Sequence, residues 1–275
     1  MAMKPAINFM GVRNIAFAIT IILTVASLGS LVFKGLNFGL DFTGGTLIEL
    51  NYAKPIQPEL VREQLRAAGY GDAQVQSFGA TTDILVRLAG DDPQLGNKVA
   101  QALEVQGGDN KLTINRVEFV GPAVGEELRD QGGLGMLLAM AGIMLYVAFR
   151  FQWKFGAGAI VALFHDVIIT LGVFSFFQIT FDLTVLAAVL AIIGYSLNDT
   201  IVVFDRIREN FRLLRKADLI ENINISTTQT LLRTLATSIS TLLAVAALMF
   251  MGGENLWGFS LALFIGVTAG TYSSV

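Results

Sequence analysis

The sequence predicts a membrane protein with six transmembrane helices and a folded α+β domain inserted between the first and second helices. Hydrophobic residues make up 53% of the 275-residue chain and charged residues only 15%, whereas soluble domains carry about 25% charged residues. Six apolar runs approach or reach the length of about 20 residues that a membrane helix needs. A stretch of mixed polarity, residues 35–131, separates the first run from the second.

The first predicted span is Asn14–Phe33, which has no charged residue. Small residues at Ser27–Ser30 would also suit a cleaved signal peptide. The apolar run is longer than the usual signal-peptide core of about 7–15 residues, so we favour an uncleaved signal-anchor. Residues 1–34 are therefore predicted to form the N-terminus and the first membrane helix.

A five-helix bundle is predicted for residues 132–275, with spans near 134–149, 156–177, 183–204, 230–251 and 256–275. The last span reaches Val275 without a flanking charge, so we expect the natural chain to continue.

The basic residues predict the orientation, because Lys and Arg collect in cytoplasmic loops. One side receives Lys4, Arg13, Arg150, Lys154 and the basic stretch Arg206–Lys216. The links 178–182 and 252–255, on the other side, contain no Lys or Arg. The N-terminus is therefore predicted to be cytoplasmic and residues 35–131 to lie outside.

The external domain shows alternating strand and helix patterns. The predicted elements are strand Thr46–Tyr52, helix Glu59–Ala68 with Leu60, Val61 and Leu65 on one face, strands Gln74–Phe78 and Ile84–Leu88 joined by a turn at Gly79–Asp83, helix Gln94–Val105 and strand Leu112–Phe119. This β-α-β-β-α-β order is the ferredoxin-like arrangement. The domain has no paired-carboxylate spacing, which favours a binding or coupling role over catalysis, with a pure scaffold as the alternative.

Gly121, Pro122 and Gly125 interrupt the pattern just before the second span, where we expect either a hinge or an ordinary loop.

Composition excludes several kinds of chemistry. The chain has no cysteine and one histidine, which excludes thiolate metal sites and disulfides. It has no nucleotide-binding loop, and the glycine-rich segment Asp41–Gly45 precedes a predicted strand rather than the helix that a phosphate site needs. With no nucleophile–base pair in view, we predict a non-enzyme without cofactor, metal or nucleic-acid partner.

Charged residues within the spans are the candidate functional groups, because each costs at least about 2.5–3.5 kcal/mol near the bilayer centre on insertion scales. Asp199 and its neighbour Asn198 lie in the fourth span and Arg233 in the fifth. Asp199 and Arg233 are at similar predicted depth and could meet. An Asp that pairs with Arg, or binds and releases a proton, predicts a proton relay. A structural ion pair, or an Arg reaching the interface, is the alternative.

Small and polar residues surround this predicted pair. The fifth span carries a polar stripe of Thr230, Thr234, Thr237, Ser238 and Thr241. The face of the fourth span that would oppose it offers Ala187, Ala191, Gly194 and Asn198, which are small enough for close approach.

His165 and Asp166 lie near the middle of the third span and are further relay candidates. Neighbouring residues on a helix point about 100° apart, so we expect that they do not both face one pathway. The alternative for His165 is a hydrogen-bonded packing residue.

Four segments resemble the SecD/SecF family of protein-export proteins, which belongs to the RND superfamily. They are Phe38–Thr46 (FGLDFTGGT), Phe119–Gly125 (FVGPAVG), Phe164–Thr170 (FHDVIIT) and Gly194–Asn210 (GYSLNDTIVVFDRIREN). The last segment resembles the SecF members in particular, and the resemblance covers nearly the whole chain.

The resemblance implies a subunit of the bacterial inner membrane that uses the proton-motive force with SecD to promote translocation and release of preproteins on the periplasmic side. The family's proton-linked Asp and Arg map onto Asp199 and Arg233. The implied partners are SecD, the SecYEG channel, YajC and YidC, and the translocating preprotein, with protons as the coupling ion. Membrane lipid is a further expected partner, because the basic stretch Arg206–Lys216 could attract anionic lipid. Two other functions stay open, a proton-coupled small-molecule exporter of the RND type and a non-transporting scaffold of the channel complex.

Overall fold

The computed structural model describes residues 6–90, 92–106 and 110–275. Lys4, one of the basic residues used to predict orientation, lies outside this range. The chain divides into two compact units, one formed by the chain up to Asn37 together with Gly135–Val275, the other by Phe38–Leu134.

Helices and short strands follow one another along the whole described chain. In chain order they are a short 3-10 helix (Phe9–Gly11), α1 (Arg13–Phe33), β1 (Asn37–Phe38), α2 (Leu40–Thr43), β2 (Gly45–Tyr52), α3 (Pro58–Ala67), β3 (Gln74–Phe78), β4 (Ala80–Leu88), α4 (Leu95–Gln106), β5 (Leu112–Val120), α5 (Pro122–Arg150), α6 (Trp153–Phe177), β6 (Thr180–Phe181), α7 (Leu183–Leu213), α8 (Leu219–Met251) and α9 (Glu254–Ser274).

Six of the described helices, α1 and α5 to α9, are long and apolar enough to cross a membrane. Every predicted span lies within one of them, apart from the terminal Val275. Several helices extend beyond the apolar run. For example, α7 continues to Leu213, because the backbone hydrogen bonds of a helix can form equally well where polar side chains meet water.

The helix bundle is centred on α7, which contacts α6, α8 and α9, while α1 packs against α6. Small residues permit these close approaches. A Cβ added at Gly172 of α6 would lie 2.7 Å from the Cα of Ser27, so only glycine fits at that crossing. Ser30 and Ser175 form a buried hydroxyl–hydroxyl hydrogen bond of 2.9 Å in the same interface.

A network of charges fixes the basic ends of the helices. Asp205 of α7 accepts hydrogen bonds from Arg150 at 2.5 Å and from Arg208 at 2.7 Å. Both guanidinium groups also lie over the ring of Phe151, 5.4 Å from its centroid, the geometry of a cation–π contact. The link between α5 and α6 is thereby attached to α7.

The second unit is a four-stranded antiparallel sheet in the order β3-β4-β2-β5, with α3 and α4. Its core is one cluster of apolar side chains: Ile48, Leu50, Tyr52, Val61, Leu65, Val75, Ile84, Val86, Val99 and Leu103 among them. Alternate residues of β2 face this core, as the period of a strand requires. Burial raises the pKa of the Tyr52 phenol to about 12, because its ionised form would lack water.

Two details of this unit differ from the sequence-based prediction. The predicted turn at Gly79–Asp83 is wrong, since β4 begins at Ala80. Gly79 has a φ of 75°, which lets the chain reverse at a single residue. The placement of Leu60 on the buried face of α3 is also wrong, because Leu60 is 52% exposed whereas Val61 and Leu65 are fully buried. Val61 and Leu65 are four residues apart and share a face; Leu60 points about 100° away.

Leu65→Ala should destabilise this unit by about 2–5 kcal/mol, because it removes a fully buried side chain and leaves a cavity. Leu60→Ala, in the same helix, is the matched control and should cost less than about 0.5 kcal/mol. Urea-dependent proteolysis of residues 38–134 in the detergent-solubilised chain measures both. Equal losses for the two variants would contradict the assigned core.

Candidate functional site

Asp199 of α7 is held between two other helices. The residue is 5% exposed. Thr234 of α8 donates a 3.0 Å hydrogen bond to Oδ1, and Ser274 of α9 donates a 3.0 Å hydrogen bond to Oδ2. A buried carboxylate needs such donors because it has lost its water. Asp199 therefore joins α7, α8 and α9 at a single point.

Arg233 does not meet Asp199 in this chain. Its side chain is exposed, and it takes part in none of the ion pairs formed within the described part of the chain. The reason is geometric, because Thr234 points at α7 and its predecessor is rotated by about 100°. The residue of α8 that does contact Asp199, at the depth inferred from the sequence for Arg233, is the neighbouring Thr234.

The expected small-residue face of α7 toward α8 is wrong. Ala187, Ala191, Gly194 and Asn198 are all exposed, and a Cβ added at Gly194 would meet no atom within 4 Å. These four residues form a small-residue face on α7 that no other helix of the described chain covers. Asn198 is therefore separated from the hydrogen bonds that hold its neighbour Asp199.

Asp166 of α6 is the second buried carboxylate of the bundle and is 1% exposed. Its Oδ2 accepts hydrogen bonds from Ser196 of α7 at 2.5 Å and from Ser273 of α9 at 2.9 Å. Its Oδ1 lies 2.9 Å from His165 Nδ1. The two neighbours were expected not to face one pathway together, yet their side chains are in contact.

His165 is itself buried, and its Nε2 is among the buried atoms without a hydrogen-bond partner in the described chain. The ring lies near Tyr272 of α9, with centroids 6.5 Å apart. The sequence also allowed His165 to be a hydrogen-bonded packing residue. That alternative fits Nδ1, which contacts Asp166, but not Nε2, which has no hydrogen-bond partner in the described chain.

The polar stripe on α8 is divided by the structure. Thr230, Thr234 and Ser238 are buried, whereas Thr237 is exposed and Thr241 half-buried. Ser238 receives hydrogen bonds from Tyr195 of α7 at 3.1 Å and from Thr271 of α9 at 2.7 Å. The buried members are spaced four residues apart and thus lie on one face of the helix.

Ser273 and Ser274, the hydroxyl donors at the end of α9, were not predicted from the sequence. The signal was present, since TYSS (271–274) places four polar residues at the end of an apolar run. Serine carries no charge, so the cost of burying charges in a membrane does not single it out. Gly266 and Gly270 of the same helix allow the approach, because Cβ atoms there would collide with Ile192 and crowd Ser196.

This arrangement can bind protons. Two carboxylates are enclosed by hydroxyl donors, and neither lies in an ion pair with Lys or Arg in the described chain. Within the described residues no three His, Cys, Asp or Glu side chains are grouped as a metal site would require.

The predicted hinge residues lie at the start of α5. Pro122 is its first residue and Gly125 lies within its first turn. A Cβ at Gly125 would be 2.7 Å from the backbone nitrogen of Gly44, and one at Gly44 would be 2.7 Å from Cα of Pro122. Gly44 also has a φ of 67°, which favours glycine. The glycine-rich segment after β1 is therefore packed directly on this helix start.

Comparison with known proteins identifies related chains. The family model described as protein export membrane protein SecD/SecF, C-terminal, matches residues 99–275, and the model of the SecD/SecF GG motif matches residues 29–56. Protein translocase subunit SecF of Pseudomonas aeruginosa is 70% identical over 98% of this chain and 88% of its own length. The subunit of the same name from Escherichia coli O157:H7 is 46% identical over 99% and 85%.

Two solved structures match as well. SecDF from Thermus thermophilus, described as a translocon-associated membrane protein, is 40% identical with a TM-score of 0.90. A structure of SecDF in the super-membrane-facing form has the same identity and a TM-score of 0.72. All of this chain is covered in both cases, but it spans only 38% of each SecDF chain.

Gly125→Ala should lower the thermal stability of the chain, because the added Cβ meets backbone atoms that cannot move independently. Overpacking of this kind costs about 1–3 kcal/mol. Gly121→Ala is the control, since a Cβ there meets nothing within 4 Å. Melting of the purified variants in detergent compares them. A Gly125→Ala variant as stable as the control would show that the contact with Gly44 is unimportant.

Proposed function

The chain belongs to the SecD/SecF family of protein export membrane proteins, among its SecF subunits, and we propose that it uses the proton-motive force with SecD to promote the translocation and release of preproteins. The protein is a multi-pass inner-membrane protein and its relatives are translocase subunits, which are transport components and not enzymes. Protons are the proposed coupling ion, and no other cofactor is required by this proposal.

The proposed orientation places the N-terminus in the cytoplasm and the second unit in the periplasm. Support comes from the basic residues at one end of the bundle, Arg150 and the stretch Arg206–Lys216, which satisfy the positive-inside rule. The second unit is proposed to be a ferredoxin-like domain. Its element order and its antiparallel sheet β3-β4-β2-β5 support that assignment.

The observation that carries the proposal is the Asp199 carboxylate, buried in a membrane helix and bonded by Thr234 and Ser274. Hydrogen bonds to a charged acceptor are roughly twice as strong as neutral ones. Protonation of Asp199 removes that charge, weakens both bonds and releases α8 and α9 from α7. Rearrangement of three helices thus follows from the binding of one proton.

The free energy supplied by one proton is large enough to shift the equilibrium of an element that has two conformations. A charge crossing the full membrane potential supplies about 2.3 kcal/mol per 100 mV, which biases a two-state equilibrium by roughly fiftyfold. A single proton does not drive a large movement alone, so repeated cycles are required. The two SecDF structures, which this chain matches unequally, fit a family with more than one conformation.

We propose that the movement of the membrane helices is transmitted to the second unit along α5. This helix begins at Pro122 and continues through the membrane to Arg150 without interruption. Gly44 is packed on its first turn. We therefore place the hinge at Gly121, Pro122 and Gly125, where a shift of the helix reaches the sheet of the second unit.

SecD is proposed to dock on the small-residue face of α7 and beside Arg233 of α8. An arginine at membrane depth needs a counter-charge, and no carboxylate of the described chain supplies one. Small residues at Ala187, Ala191 and Gly194 permit close helix approach. A SecD helix with an acidic residue fits both requirements. SecYEG, YajC, YidC, the preprotein and anionic lipid are the further proposed partners.

Asp199→Asn should abolish the gradient-dependent stimulation of preprotein export by inverted membrane vesicles while export without a gradient persists. Asn matches Asp in size but cannot release a proton. Asp130→Asn, at an exposed carboxylate of α5, is the control and should retain full stimulation. Co-purification of SecD verifies assembly of each variant.

Unchanged stimulation in an assembled Asp199→Asn complex would remove this residue from proton coupling. If Asp199→Asn combined with Arg233→Ala also left export intact, the scaffold function would be favoured instead.

The docking surface can be tested with single cysteines, because the chain has none of its own. A photoreactive probe attached at Ala191→Cys should cross-link to SecD in native membranes. The same probe at Ile22→Cys, which is 66% exposed on α1, should react with lipid and not with SecD. Cross-linking from position 22 alone would place SecD on the other side of the bundle.

A further inference from the structure

The end of α9 contacts both buried carboxylates through two consecutive residues. Ser273 donates to Asp166 of α6 at 2.9 Å, and Ser274 donates to Asp199 of α7 at 3.0 Å. Ser274 is buried and Ser273 partly buried. The two acidic residues belong to different helices, and their hydrogen bonds converge on residues 273 and 274 of α9.

Each serine has a second acceptor within its own helix. The hydroxyl of Ser273 lies 3.2 Å from the carbonyl of Gly270, and that of Ser274 lies 3.1 Å from the carbonyl of Thr271. A hydroxyl has only one proton to donate, so the carboxylate and the backbone carbonyl compete for it. The charged carboxylate is the stronger acceptor, and protonation of the carboxyl group reverses that preference.

We propose that Ser273 and Ser274 are positioning residues that couple Asp166 to Asp199, so that protonation of either carboxyl group alters the hydrogen bonding of the other. The inference rests on the proposed proton coupling and adds to it a second proton site and the element that links the two. When one carboxyl group takes a proton, its serine turns to the backbone carbonyl. The turn of α9 formed by residues 271–274 then shifts, and the adjacent serine moves relative to the other carboxyl group.

The helix α7 provides a second physical link. Ser196, which also donates to Asp166 Oδ2, lies three residues before Asp199 on the same helix. A shift of α9 against α7 therefore changes the surroundings of both acids together. Coupling through a packed contact of this kind requires that the two helices have two arrangements and that protonation of each acid biases the equilibrium between them.

Few other titratable groups face this region, so a pH response can be attributed to the pair. On α6 the apolar run 156–177 contributes His165, in contact with Asp166, and no other charged side chain. Between residues 183 and 204, α7 contributes Tyr195 besides Asp199. The membrane part of α8 contributes Arg233, which points away, α9 contributes Tyr272, and the run 14–33 of α1 has no charge.

The experiment is infrared difference spectroscopy of the full chain in lipid vesicles, titrated with pH. Asp166→Asn and Asp199→Asn assign the two carboxyl bands. We expect both bands to titrate in the unmodified chain. Strongly interacting groups titrate as a pair, in macroscopic steps that belong to neither residue alone, so each Asn variant should shift the titration of the remaining acid.

Ser274→Ala should then change the frequency and the titration of the Asp166 band as well as those of Asp199. Ser273→Ala should likewise change the Asp199 band as well as the Asp166 band. Ser274→Thr, which keeps the hydroxyl, should restore the Asp166 band. Thr268→Val is the matched control, because Thr268 of α9 is exposed and donates only to its own helix at Phe264. It should leave both bands unchanged.

The inference would be overturned if the two sites behaved independently. In that case Ser274→Ala would change only the Asp199 band, and Ser273→Ala would change only the Asp166 band. Circular dichroism checks that the Ala variants are folded, and Ser→Cys variants, of similar volume and weaker donor strength, replace any that are not. The proposed function fails separately, if the Asp199 band does not titrate at all. An Asp199 band that titrates beside an inert Asp166 band refutes only the coupling.

Discussion

A carboxylate can be buried in an apolar helix bundle only where hydrogen-bond donors replace the water it has lost. Asp199 meets this requirement with donors from two different helices, Thr234 of α8 and Ser274 of α9. The same two helices must therefore approach α7 closely at this depth. Gly266 and Gly270 of α9 make that approach possible, because a Cβ at Gly266 would collide with Ile192 and one at Gly270 would crowd Ser196, both on α7. The electrostatic requirement and the packing of the bundle are thus satisfied together.

Under the proposed mechanism, this dependence makes the bundle responsive to protons. Hydrogen bonds that hold helices together through a charged acceptor are strong only while the charge persists. A carboxyl group in such a position contributes to stability in one protonation state and permits rearrangement in the other. A cation fixed beside Asp199 would remove this sensitivity. Arg233 instead is exposed at the surface of the chain, where the proposed contact with SecD would neutralise it.

The exposed surface of the bundle includes a face that is suited to contact with another helix. The small-residue face of α7 is the kind of surface that helices bury against each other in membranes, yet no helix of the described chain covers it. The chain spans 38% of the SecDF chains that it matches. An uncovered small-residue face, and an arginine that no described carboxylate neutralises, are the two observations that support the proposed docking of a SecD helix on this bundle.

The sequence alone determined the six membrane helices and the order of elements in the second unit. The features that did so were the apolar runs, their basic flanks and the periodicity of the strands. These features are local: a run of about 20 apolar residues forms a membrane helix whatever it packs against. Tertiary structure alone decided which polar side chains meet. Neighbours on a helix point about 100° apart, so a depth estimate could not separate Arg233 from Thr234, which bonds Asp199. The roles of Ser273 and Ser274 likewise depend on how α9 is rotated against α6 and α7, and that rotation is set by packing between segments far apart in the chain.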